Sequence, residues 1–101
     1  MFLDIDKKAI GARIKSIRLE KGLTLHEFGN MIGGADRSIA SRWERGVSLP
    51  NNERLKTIAE IGGTTVDFLL YGSLDDYARR LLKELEKELN EDDSINKGAI
   101  D

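Results

Sequence analysis

An all-α fold is what this sequence predicts, and three observations carry the prediction. Leu, Ile, Ala, Lys, Glu and Arg dominate, while only 6% of residues are aromatic and one is proline, a balance that favours helix. Apolar residues recur at three- and four-residue spacing in segment after segment, and no stretch alternates as a strand would. Turn residues, mostly glycine, punctuate these runs, so the chain reads as five short helices joined by tight turns and one longer helix after them.

Asp6 caps a first helix over 7–21, in which Ile10, Ile14 and Ile17 share a face, and Gly22 stops it. Thr24-Leu-His-Glu27 matches a capping box, and Leu23 just before it can pack on Phe28 as a hydrophobic staple. The second helix runs from Leu25 to about Ile32 and ends at Gly33-Gly34. Asp36 is a good cap for the third, which reaches Arg45 before Gly46 terminates it. Pro50-Asn51-Asn52 opens a fourth helix with an apolar stripe of Leu55, Ile58, Ala59 and Ile61, closed by Gly62-Gly63. Thr64 or Thr65 caps the fifth, which carries Val66, Phe68, Leu69 and Leu70 and ends at Gly72.

The sixth helix, from Leu74 to about Asn90, sets Leu74, Tyr77, Ala78, Leu81, Leu82, Leu85 and Leu89 on one side and charge on the other. The final EDDSINKGAID has no periodicity and is expected to be disordered. The expected organisation is a five-helix domain over 1–72, an amphipathic packing or dimerisation helix over 73–90, and a disordered tail over 91–101.

A length of 101 residues suits one domain. The lack of cysteine excludes disulfides and cysteine-ligated zinc and fits a reducing compartment. MFLDIDKK holds no apolar run fit for a signal peptide and no segment is fit to span a membrane, so a cytoplasmic protein is expected. The net charge of -2 hides an asymmetry. Residues 1–72 hold 11 Lys+Arg against 9 Asp+Glu, a net +2, and residues 73–101 hold 5 against 9, a net -4. The front is mildly basic and the tail acidic, so each is judged separately.

The chemistry concentrates in DRSIASRWERG, residues 36–46. On a helical wheel at about 100° per residue, Arg37, Ser41, Arg45, Ser38 and Arg42 fall in one arc of roughly 140°. Ile39, Ala40 and Trp43 occupy the opposite side, where the tryptophan serves as a core anchor. Glu44 lies at the boundary; it is either a solvated acid or a desolvated one paired with Arg18 at the end of the first helix. The cationic face is either solvated surface or a face for nucleic acid. A short capped helix, a tight turn and a second helix with donors on one face favour the latter, since that geometry suits a major groove. Arginine pairs bidentately with guanine O6/N7, and serine serves several acceptors.

These residues resemble a known family. IGARIKSIRLEKGLTLHEF from Ile10, then SRWERG, then LPNNERLKTIAEIGG and VDFLLYG, are similar to the helix-turn-helix domain of phage repressor and Cro type, shared by bacterial regulators of the xenobiotic-response-element class. The resemblance covers about residues 8–72. It implies a five-helix domain, usually dimeric, on a palindromic or pseudo-palindromic double-stranded operator at the bacterial nucleoid. It places Arg37, Ser38 and Arg42 at base-contacting positions, with Ser41 a lesser candidate. Arg45, Asn51 and Asn52 fall where the family touches phosphate, Arg13 adds a phosphate contact from the first helix, and His26 is a candidate for another. Arg18 and Glu44 match the family's buried ion pair. Two departures stand out: the turn IGGAD is one residue longer than usual, and Leu25 occupies a place often held by a phosphate-binding glutamine.

An enzyme is not expected. There is one histidine and no cysteine, and neither a phosphate-cradling Gly-rich loop nor metal-ligand spacing is present, so no cofactor or metal is implied. The rival reading is an antitoxin or protein-interaction module whose acidic helix, through Leu74, Ala78, Leu81, Leu82, Leu85 and Leu89, binds a partner such as an antirepressor. That helix can also pair with a second copy or fold back on the domain.

Overall fold

The computed structural model describes residues 5–100, and among them there are six α-helices and no strand. Five helices make up one compact unit, residues 5–72: α1 (Lys7–Glu20), α2 (Leu25–Met31), α3 (Arg37–Glu44), α4 (Asn52–Gly62) and α5 (Val66–Tyr71). A second unit holds α6 (Leu74–Ile100).

Each short helix begins where a side chain satisfies an otherwise orphaned backbone N–H. Asp6 Oδ1 accepts from the Ala9 amide at 3.1 Å, and Asp36 Oδ1 accepts from that of Ile39 at 2.9 Å. Thr24 and Glu27 complete the reciprocal box, the Thr24 amide donating to Glu27 Oε1 at 2.9 Å and the Glu27 amide to Thr24 Oγ1 at 3.1 Å. Asn51 caps α4 through the Arg54 amide. Of the two threonines before α5, Thr65 is the cap, accepting from Phe68. Such caps contribute about 1 kcal/mol each, which matters for helices too short to persist alone.

Tertiary packing supplies the rest. The stripe Ile10, Ile14 and Ile17 on α1 is buried, and it meets Phe28, Ile32, Trp43, Ile58 and Leu69 in one core. Helix α1 packs on α3, α4 and α5, while α2 packs on α3. Two glycines set how closely these elements approach. A Cβ on Gly11 would collide with the carbonyl oxygens of Trp43 and Glu44, so α1 rides directly on the C-terminal end of α3. A Cβ on Gly29 would collide with the Ala35 carbonyl oxygen, which holds α2 against the turn before α3. The position of α3 is thus fixed at both ends by backbone contact.

Helix α6 opens with a box of its own, unforeseen in the sequence reading. The Ser73 amide donates to Asp76 Oδ2 at 3.3 Å, and the Asp76 amide to Ser73 Oγ at 3.1 Å. The structure also corrects the expected disordered tail over 91–101: the helix continues to Ile100, with Asp101 outside the described residues. The physical reason is that periodicity reports a buried face rather than helicity. Residues 91–100 lack an apolar stripe, yet they contain no proline and several good helix formers. No helix among the described residues is long and apolar enough to cross a membrane.

Candidate nucleic-acid interface

The split of α3 follows from its sequence. Ala40 and Trp43 are buried and Ile39 is half-buried against the core, which turns Arg37, Ser38 and Arg42 outward into solvent. Ser41 is half-buried, and its Oγ accepts from Arg45 Nε at 3.2 Å. The four residues expected to meet bases, Arg37, Ser38, Ser41 and Arg42, line a single open concavity of about 520 Å³ together with Arg45 and Leu25. Leu25 enters from the start of α2, so the concavity spans both helices of the helix-turn-helix pair.

The charge on this face is uncompensated. Among the described residues, Arg37, Arg42 and Arg45 make no ion pair. The two nearby acids are occupied elsewhere. Asp36 caps the helix, and Glu44 receives a two-pronged bond from Arg18: Nε to Oε2 at 2.6 Å and Nη2 to Oε1 at 3.1 Å. Both side chains of that pair are largely buried, at 12% and 6% exposure. Arg18 also donates through Nη1 to the Leu23 carbonyl at 2.9 Å. Donation of these hydrogen bonds to the Glu44 carboxylate raises the Arg18 pKa above its ordinary value despite the opposing effect of burial. Of the two readings open for Glu44, the paired one is what the geometry gives.

The expected phosphate-contacting residues fall in different settings. Arg45 borders the concavity. Asn51 and Asn52 are exposed at the start of α4, where Asn51 is the cap. Asn51 lines a second concavity of about 380 Å³, with Gly33, Glu53, Arg54 and Thr57. His26 is exposed, its Nε2 3.3 Å from Asn30 Nδ2, and is not among the residues lining the first concavity. Arg13, on α1, has a bond within the fold. Its Nη1 donates to the Leu69 carbonyl at 2.9 Å, so the guanidinium ties α1 to α5 within the fold. The unsatisfied carbonyls at the end of a helix as short as α5 are strong acceptors, and Arg13 lies within reach of one.

Arg54 was not foreseen. Its guanidinium carbon stands 5.6 Å from the centroid of the Trp43 ring, within cation–π range. A cation in the first turn of a helix opposes the macrodipole. That was the one hint available in the sequence.

The helix-turn-helix family model HTH_3 matches residues 14–69. No curated protein matches the chain. Among solved structures, the chain is similar to the P22 c2 repressor in complex with a synthetic operator, at 30% identity over 63% of this chain and 96% of that one, with a TM-score of 0.59. It is similar to the DNA-binding domain of BldD, at 30% identity over 64% of this chain and 93% of that one, TM-score 0.54. It is also similar to the clp gene regulator ClgR of Corynebacterium glutamicum, at 25% identity over 87% of this chain and 89% of that one, TM-score 0.59.

Proposed function

The chain belongs to the helix-turn-helix family HTH_3 of DNA-binding regulators, and on that premise we propose that it is a phage- or prophage-type repressor that binds a palindromic or pseudo-palindromic operator as a dimer. One observation carries the reading: three arginines share one concave face with no ion pair among the described residues, while the adjacent acids are committed to a cap and to Arg18. Solvated charged faces ordinarily intersperse both signs. A face of one sign is suited to phosphate and to guanine edges.

In this reading α3 lies in the major groove. Arg37 and Arg42 donate to guanine O6/N7, and Ser38 meets a further base edge. Ser41 has a lesser part, since its Oγ already accepts from Arg45. Arg45 and the first amides of α4, at Asn52 and Glu53, meet phosphate on the flank, a helix N-terminus being suited to anions. Arg13 is left out because its guanidinium is engaged with Leu69. Leu25 at the mouth of the concavity suits contact with a thymine methyl or a sugar. The site of action is the bacterial cytoplasm, at the nucleoid.

Selection from random duplex DNA, followed by fluorescence anisotropy at two salt concentrations, tests the proposal. The expected result is a consensus with two half-sites about one helical turn apart and an affinity that falls steeply with salt. Enrichment of no sequence would overturn it and favour a protein-interaction module instead.

A further inference from the structure

Helix α6 carries an apolar seam that the proposed DNA contacts do not use. Ala78, Leu82, Leu85 and Leu89 are spaced four, three and four residues apart, so they fall within about 60° of one another on the helix. All four are exposed, with Leu82 at 58%, Leu85 at 41% and Leu89 at 61%. Four-three-four is the spacing of alternating seam positions in a coiled coil. Contiguous apolar exposure of this kind marks an interaction surface.

The charges beside the seam say what covers it. Residues 74–83 hold Arg79, Arg80 and Lys83 against Asp75 and Asp76, a net +1, whereas residues 84–90 hold Lys87 against Glu84, Glu86 and Glu88, a net -2. Arg79 and Glu86 flank the seam on the same shoulder, one in each half. Arg79 has only an exposed 3.5 Å contact to Asp76, three residues away, which is easily exchanged. A parallel pair of such helices would set Glu86 and Glu88 beside their own copies. An antiparallel pair sets each positive half on a negative one.

We infer that a second copy of this chain docks antiparallel along the Ala78–Leu82–Leu85–Leu89 seam of α6. Leu82 stacks on Leu85 of the second copy and the reverse, Ala78 faces Leu89, and Arg79 pairs with Glu86 across the interface, twice by symmetry. The inference deepens the dimer part of the proposed function by naming its surface and orientation. The seam spans 78–89, about 18 Å of helix, short enough that association is reversible.

Sedimentation equilibrium of the full chain over a concentration series tests it. A reversible monomer–dimer equilibrium is expected. Leu82→Glu with Leu85→Glu should weaken it by about tenfold or more, since charge would be buried at the seam; circular dichroism melting checks that the five-helix unit still folds. Arg79→Glu alone and Glu86→Arg alone should each weaken it several-fold, and the two together should restore it. Because the chain has no cysteine, Asn90→Cys carries a spin label cleanly. Antiparallel docking puts the two labels roughly 20 Å apart along the axis, whereas parallel docking puts them near the interaxial distance of about 8–10 Å.

A monomer at every concentration, a dimer indifferent to the leucine changes, failure of the charge reversal to restore association, or the short label distance would each overturn the inference. DNA binding is measured on the same samples. A monomer that still prefers one half-site sequence would remove the seam and leave the DNA reading standing; a seam-dependent dimer without sequence preference would do the opposite.

Discussion

Replacing Arg18 by methionine keeps an unbranched chain of similar length and removes the charge. Glu44, whose side chain is 6% exposed, then loses both of its bonds from Arg18, and the Leu23 carbonyl loses its donor. A buried pair broken on one side costs about 3–5 kcal/mol, because the remaining charge is stranded. An exposed pair would cost only about 0.2–1 kcal/mol. Domains of this kind are stable by roughly 5–15 kcal/mol in total, so the loss consumes a large share. Since Glu44 is the last residue of α3, the same change loosens the helix that carries the cationic face. Urea unfolding followed by the helical circular dichroism signal gives the first number, from the shift in midpoint. The double variant Arg18→Met with Glu44→Met gives the second. It strands no charge and should recover much of the loss, so the two single effects should not add. A cost of Arg18→Met below about 1 kcal/mol, or simple additivity, would refute the reasoning.

Three further outcomes follow from the geometry. Gly29→Ala should destabilise by about 1–3 kcal/mol, measured by urea unfolding, because its Cβ collides with the Ala35 carbonyl oxygen rather than with a movable side chain. Bonds from the Thr24 backbone and side chain hold the Glu27 pKa below its ordinary value; its contribution is therefore present above the unfolded carboxylate pKa and lost as pH falls through the folded one. Wild type and Glu27→Gln should thus converge in stability on acidification and differ near neutrality, and a difference that grew in acid would contradict the assignment. Arg45→Ala should weaken binding to all DNA sequences alike and lower the salt slope by about one phosphate's worth, read by anisotropy against ionic strength.

Much of the fold was legible because its signals are local. Asp6, Thr24, Asp36, Asn51 and Thr65 each mark a helix start by a bond to a residue three positions on, and such bonds depend on sequence spacing alone. The two faces of α3 were legible for the same reason. What escaped depends on contacts between elements or on what periodicity does not report. Arg13 reads as a free cation until α5 places the Leu69 carbonyl beside it. Arg54 over Trp43 joins residues on different helices. The Ser73–Asp76 box was visible as spacing but lay at a junction read as a simple Gly72 stop. The far end of α6 was lost because a helix without an apolar stripe leaves no periodic trace.

The central claim is that the outward side chains of α3 read base edges. Its most direct test crosses Arg42→Ala with single base-pair changes in the selected operator, measuring affinity for every combination at fixed salt. One G·C position is expected at which wild type discriminates by about 1–3 kcal/mol and Arg42→Ala does not, with discrimination elsewhere unchanged. Equal loss of affinity for every operator variant, with the discrimination profile intact, would reduce Arg42 to a phosphate contact and contradict the claim.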